Sequence, residues 1–244
     1  MTPVLLLIFS FLFLAFANQH SPCVNVHMIV ARQSTSWPGE GRMKELADHI
    51  KQQLPSSDSE TLQYPAYGDI WRYRSSVFTG DKAMLAAINT YTSRCPDSKI
   101  VLLGYSQGAH IIGDILCGSI VERGFPAIPP INGYLVRGLL LRFQWGILHL
   151  CQVFRMTSGQ ARTLGFDYPL RAKTTTNMQG QKFLRINNTV CTGYDSIRRS
   201  YCDDGDIYCA PGFWFGVHRR YVARYKDDAT RFVLSRVNTT MQQW

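Results

Sequence analysis

The chain has 244 residues, enough for one α/β domain with a full core and little left over. Hydrophobic residues make up 45% and charged residues 18%, a balance that excludes an intrinsically disordered chain. The formal net charge of +9 comes from Lys and Arg scattered in ones and twos, with Arg198-Arg199 and Arg219-Arg220 the densest spots. No basic stripe interleaved with aromatics is present. The surface therefore reads as solvated and cationic, weakly drawn to an anionic matrix, and nucleic acid is not an expected partner.

Residues 4–16 form an almost unbroken apolar run, too short to cross a bilayer comfortably, and Ala15-Phe16-Ala17 follows with small residues where a signal peptidase reads. Residues 1–17 are expected to be a removed signal peptide. No second segment reaches spanning length without charge, so the expectation is an exported protein with no stable membrane association. Seven cysteines suit an oxidising compartment, and none shows the doubled Cys-x-x-Cys spacing of a zinc site. Asn187 and Asn238 each open a glycosylation sequon.

Residues 24–31 are apolar and β-rich, a candidate buried strand. Met43, Leu46, Ala47, Ile50 and Leu54 recur at helical spacing over 43–54. A second helix is expected over 81–94, with Met84, Leu85, Ile88 and Tyr91 on one side, ended by Pro96 and Asp97. Residues 99–104 are a short continuous apolar strand of the kind found inside parallel sheets, and 108–117 continue as a helix. The stretch 219–237 reads as a closing amphipathic helix with Tyr221, Val222, Tyr225, Ala229, Phe232 and Val233 as its inner face. Strands alternating with helices predict a single α/β domain over 18–244, its sheet mostly parallel and covered on both faces as a three-layer sandwich.

Gly104-Tyr105-Ser106-Gln107-Gly108 matches the Gly-x-Ser-x-Gly nucleophile elbow. A serine that must present its hydroxyl above a sheet sits on a sharp strand-to-helix turn, where bulk two positions either side would clash. The motif by itself is weak, and its setting, with a buried strand running in and a helix running out, is what the chemistry requires. The helix start places the Gln107 amide where an oxyanion would form. The order Ser, acid, His leaves His218 as the base: His20, His27 and His49 precede the serine, His110 lies one helical turn beyond it and reads as a helix-face residue, and His149 stands in an unusual segment. Among the acids, Asp206 lies in the short stretch between Cys202 and Cys209, with Asp203 and Asp204 as competitors that chain order does not separate.

Gly-Tyr-Ser-Gln-Gly-Ala at 104–109, the 202–209 loop with its Gly205-Asp206, the following His218, and Ala31-Arg32-Gln33-Ser34-Thr35 together resemble the cutinase and acetylxylan esterase family of small fungal serine esterases. The resemblance covers roughly residues 22–125 and 186–240. It implies a cutinase-like α/β hydrolase without a large lid, an acyl-enzyme mechanism with no metal or cofactor, and a monomer acting on a polymeric ester such as acetylated xylan or cutin. It carries the catalytic roles onto Ser106, Asp206 and His218, makes Ser34 the second oxyanion-hole contributor beside Gln107, and pairs Cys23 with Cys95 and Cys202 with Cys209. Cys117, Cys151 and Cys191 are left over; if Cys151 is a by-product of a frameshift, Cys117 is left to pair with Cys191. Tyr64-Pro65-Ala66, Leu116-Cys117-Gly118 and the third cysteine pair look more like acetylxylan esterases than cutinases. Phe213, Trp214, Phe215 and Tyr221 have three readings: sugar platforms, an apolar lip for cutin chains, or core packing.

Residues 134–163 depart from the family pattern, which expects a buried strand followed by a Met/Phe-Gly-Asp/Asn-Pro turn. Here Arg142 interrupts the apolar run 138–150. If Gln144-Trp145-Gly146-Ile147-Leu148 is encoded CAA-TGG-GGA-ATC-CTT, a frame starting at the last base of the Gln codon reads Met-Gly-Asn-Pro. The two readings are a frameshift or mis-joined exon, with which the chain could lack a central strand, and a lineage-specific insertion or lipid-facing patch. A non-catalytic secreted binding protein on the same scaffold is the alternative from another functional class.

Overall fold

The computed structural model describes residues 22–119, 124–131, 146–150, 197–203, 205–209 and 213–241. Five strands, β1 (Val26–Ala31), β2 (Ser57–Thr61), β3 (Lys99–Tyr105), β4 (Gly146–Leu150) and β5 (Arg198–Tyr201), form one sheet in the order β2-β1-β3-β4-β5. Every neighbouring pair is parallel. A parallel sheet needs cover on both faces, and the helices supply it: α1 (Lys44–Gln53), α2 (Tyr73–Arg94), α3 (Gln107–Cys117), a single turn α4 (Phe215–His218) and α5 (Tyr221–Met241).

Side-chain alternation along the strands builds two cores. Ile29 and Ala31 of β1 with Ile100 and Leu102 of β3 pack against Val77, Met84 and Ile88 of α2 and Ile111, Ile112 and Ile115 of α3. Met28 and Val30 with Val101, Leu103 and Tyr105 face the other way, onto Leu46, Ala47 and Ile50 of α1 and Tyr221, Val222, Ala229, Phe232 and Val233 of α5. These are the apolar stripes that the helical spacing picks out, and the arrangement is a three-layer α/β/α sandwich.

Helix α2 and strand β2 both depart from what the sequence pattern marks. Helix α2 begins at Tyr73, eight residues before 81. Its first turns carry Ser75, Thr79 and Gly80, poor helix formers, yet Ser75 and Thr79 return their hydroxyls to the carbonyls of Arg72 and Ser75. At Gly80 a Cβ would stand 2.2 Å from Ile111 Cδ1, so close packing of α2 on α3 favours the glycine. Strand β2, Ser-Asp-Ser-Glu-Thr, is half-buried throughout and has no apolar signal because it is an edge strand whose Asp58 bonds His27 of β1 at 2.6 Å.

In the unusual stretch, residues 146–150 form β4, which pairs with β3 (Leu102↔Ile147, Gly104↔His149) and with β5 (Leu148↔Arg199). The chain as written thus places residues 146–150 between β3 and β5 in the sheet. The rest of 134–163, the segment 1–17, Cys151, Cys191 and Asn187 lie outside the described residues, and Asn238 falls on α5. Disulfides join Cys23 to Cys95 and Cys202 to Cys209. Cys117 is disulfide-bonded as well.

Candidate active site

Strand β3 ends at Tyr105 and α3 starts at Gln107, so Ser106 alone makes the turn. It does so at φ 55°, ψ −112°, a conformation an L-residue adopts only under constraint. Both flanking glycines are sterically required. A Cβ on Gly104 would lie 2.7 Å from the Gly108 carbonyl carbon, and one on Gly108 would lie 2.0 Å from the Ala31 carbonyl oxygen. The elbow is wedged against the end of β1, from which the loop carrying Ser34 departs.

The non-glycine residues at positive φ among the described residues are Thr35 (59°), Ala66 (55°) and Ser106 (55°). They belong to one structural unit. The Thr35 N–H donates to the Ala66 carbonyl at 2.7 Å. The Tyr67 N–H donates to Ser76 Oγ at 3.1 Å, Ser76 Oγ donates to Gln107 Oε1 at 3.1 Å, and Gln107 Nε2 returns a bond to the Tyr67 carbonyl at 2.9 Å. Loop 64–68 thus ties the segment of Ser34 to the fully buried side chain of Gln107.

At the other end of the chain, His218 closes α4 and directs Nδ1 to Asp206 Oδ2 at 2.9 Å. Asp206 is fully buried and its charge is well solvated by the protein. Tyr221 donates its hydroxyl to Oδ2 at 2.8 Å, and the amides of Tyr208 and Cys209 donate to Oδ1 at 2.7 and 3.3 Å. Burial by itself raises the Asp206 carboxyl, but the His218 hydrogen bond and charge, the Tyr208 amide and the Tyr221 hydroxyl outweigh it and hold the group below 3.8. The His218 ring lies edge-on to Tyr105, the residue before Ser106, with ring centroids 5.6 Å apart. The Tyr105 hydroxyl donates to the His218 carbonyl.

The competing acids separate on contact. Asp203 is held by Arg224 at 2.8 Å and by the Tyr225 hydroxyl, and Asp204 lies outside the described residues. His110 binds the Tyr73 hydroxyl through Nδ1 at 3.3 Å and faces Asp114 across 3.6 Å. Sequence reasoning missed the hydroxyls of Tyr105, Ser76 and Tyr221. Tyr221 is fully buried against Asp206, which rules out the sugar-platform reading for it, whereas Phe213, Trp214 and Phe215 are 78%, 71% and 53% exposed and do not pack as core.

A parallel sheet under two helical layers, a strained serine at a strand-to-helix turn and a buried carboxylate–histidine pair packed on Tyr105, the residue before it, define an α/β hydrolase. The family described as Cutinase matches residues 22–237, a span that includes 134–163. Acetylxylan esterase 2 of Talaromyces purpureogenus is 28% identical over 88% of this chain and 88% of its own length. Cutinase 11 of Verticillium dahliae is 31% identical over 91% of this chain and 72% of its own. A solved acetylxylan esterase superposes with a TM-score of 0.67 at 27% identity, covering 88% of this chain and all of that one. The chain belongs to the cutinase family.

Proposed function

We propose that this protein is a secreted serine esterase that hydrolyses carboxylic esters through an acyl-enzyme, with acetylated xylan as its substrate. The observation that carries the reading is the buried Asp206–His218 hydrogen bond of 2.9 Å packed on Tyr105, the last residue of the strand that leads into the strained Ser106. Bound at Nδ1, the imidazole keeps its lone pair on Nε2 and takes the Ser106 proton as the hydroxyl oxygen attacks the ester carbonyl carbon. The tetrahedral oxyanion accepts hydrogen bonds from the Gln107 amide and from Ser34, each donor worth about 3–4 kcal/mol. Collapse breaks the bond to the alcohol oxygen, which receives the proton from His218. Water, activated by the same imidazole, then frees the acid and restores Ser106. The ionised Asp206 stabilises the imidazolium formed in each half-reaction.

Export is supported by the apolar run of residues 4–16 and by two disulfides among the described residues. No helix among the described residues is long and apolar enough to cross a membrane. A second reading, cutin hydrolysis, is favoured by the exposed Phe213, Trp214 and Phe215, which offer an apolar lip beside His218. Hydrolysis of acetylated xylan compared with a long-chain p-nitrophenyl ester separates the two. Ser106→Ala should abolish turnover of p-nitrophenyl acetate and labelling by a fluorophosphonate while leaving the circular dichroism spectrum unchanged. Turnover retained in that variant ends the proposal, and a wild-type chain that the fluorophosphonate does not label is a binding protein on this scaffold.

A further inference from the structure

We propose that the cavity between loops 32–38 and 64–72 is a pyranose-binding subsite that seats a backbone sugar of a neutral polysaccharide beside the ester. The cavity has a volume of about 580 Å³ and is lined by Thr35, Ser36, Trp37, Tyr67, Asp69 and Arg72 among others, a size typical of small-ligand sites. It opens one residue beyond Ser34. Its place next to that residue deepens the esterase reading, on which the inference rests for its link to catalysis.

The walls suit a sugar ring. The Trp37 side chain is 89% exposed, so a large aromatic surface stands in water with no packing role in the free protein. Tyr67 adds a second ring, braced by the Arg72 guanidinium 4.3 Å from its centroid. Around these apolar faces stand hydrogen-bonding groups: the hydroxyls of Thr35 and Ser36, which spend their protons on the carbonyls of Ser34 and Trp37 and keep their lone pairs, and the Asp69 carboxylate. A pyranose offers the matching combination of apolar C–H faces and a ring of hydroxyl donors. A fatty acyl chain would strip water from Asp69, Thr35 and Ser36 and return no hydrogen bonds.

Charge argues for a neutral ligand. Arg72 Nε lies 2.8 Å from Asp69 Oδ2, so the two exposed charges of the lining cancel. The remaining cation, Arg32, is 3% exposed. It is spent on structure, donating to the carbonyls of Ser36 (3.2 Å), Leu62 (3.3 Å) and Tyr64. Those bonds staple the two loops together, so the cavity is formed before any ligand arrives, which lowers the ordering cost of binding. Tyr67, whose ring lines the cavity, also bonds Ser76 and Gln107 through its backbone. A sugar held on this wall is thereby positioned relative to the elbow.

The test uses the full-length protein and two probes. Unacetylated xylohexaose, followed by calorimetry, should bind the wild type, and Trp37→Ala should weaken that binding about tenfold, with Trp37→Phe in between. The KM for acetylated xylohexaose should rise in parallel, while kcat/KM for p-nitrophenyl acetate stays within about twofold. Trp71→Ala is the control, an indole 84% exposed that does not line the cavity; it should change none of these values. Melting temperatures show that each variant is folded. Absence of xylohexaose binding by the wild type, equal weakening by Trp71→Ala, or a Trp37→Ala defect confined to long-chain esters would each overturn the subsite. Failure of the esterase reading would look different: xylohexaose binds as described but p-nitrophenyl acetate is not hydrolysed.

Discussion

Replacing Tyr221 by Phe removes one oxygen atom from a fully buried site, and the consequence can be worked from its contacts. That hydroxyl donates to Asp206 Oδ2 at 2.8 Å and accepts the Asp203 N–H at 2.8 Å. A hydrogen bond to a charged acceptor is worth about 1.5–3 kcal/mol, and a buried amide left without its acceptor costs about 1 kcal/mol or more. Tyr221→Phe should therefore lose about 3 kcal/mol at pH 7, which for a domain of this size lowers the melting temperature by about 6–12 °C. The loss has a predictable pH dependence. Asp206 is held below its ordinary 3.8 in the folded protein, so its stabilising contribution is fully present above that value and disappears as pH falls through the lower folded-state pKa. Without the Tyr221 hydroxyl the folded-state pKa moves up. The stability gap between wild type and variant should thus be widest at neutral pH and shrink once pH falls through the lowered folded-state pKa of Asp206, below which the carboxyl is protonated in both proteins and only a neutral hydrogen bond is at stake. Urea unfolding followed by tryptophan fluorescence at intervals from pH 7 down into the acid range below 3.8 measures the gap directly. Equal stability at neutral pH, or a gap that widens on acidification, would refute the assignment of the Tyr221 hydroxyl as a support of the Asp206 charge.

Two further substitutions probe the frame that holds the site. Gly108→Ala places a methyl 2.0 Å from the Ala31 carbonyl oxygen, a clash with backbone that no rotamer relieves; it should cost more than about 3 kcal/mol, read as a sharp drop in the urea midpoint, and p-nitrophenyl acetate turnover should fall with it. Removing the Cys23–Cys95 bridge, which spans 72 residues of sequence, should cost about 4 kcal/mol by the chain-entropy estimate. Thermal unfolding of Cys23→Ala/Cys95→Ala should show the deficit while kcat on p-nitrophenyl acetate at 25 °C is retained, because the bridge lies at the start of β1, away from the elbow.

The sequence by itself determined the features that neighbouring residues enforce. A strand, a serine between two glycines and a helix appear in the chain as a continuous local pattern, since the turn at Ser106 is a backbone event confined to five residues. The buried strands β1 and β3 and the inner faces of α1 and α5 were legible for the same reason: a parallel sheet and an amphipathic helix write their burial as runs and periods of apolar side chains. The edge strand β2 and the first two turns of α2 left no such trace, because an edge position that tolerates polar side chains in one case and packing of Gly80 on Ile111 in the other override local propensity. Tertiary structure alone decided which acid meets His218. Asp203, Asp204 and Asp206 are equivalent in chain order, and it took the folded loop to send Asp203 to Arg224 and Tyr225 and Asp206 to the imidazole. It also decided that the Tyr105 hydroxyl reaches the carbonyl of a residue 113 positions away, and that loop 64–68 joins the Ser34 segment to Gln107. Hydrogen bonds between hydroxyls and distant backbone carry no period and no spacing, so nothing in one dimension marks them; they exist only once the two cores have brought the ends of the chain together.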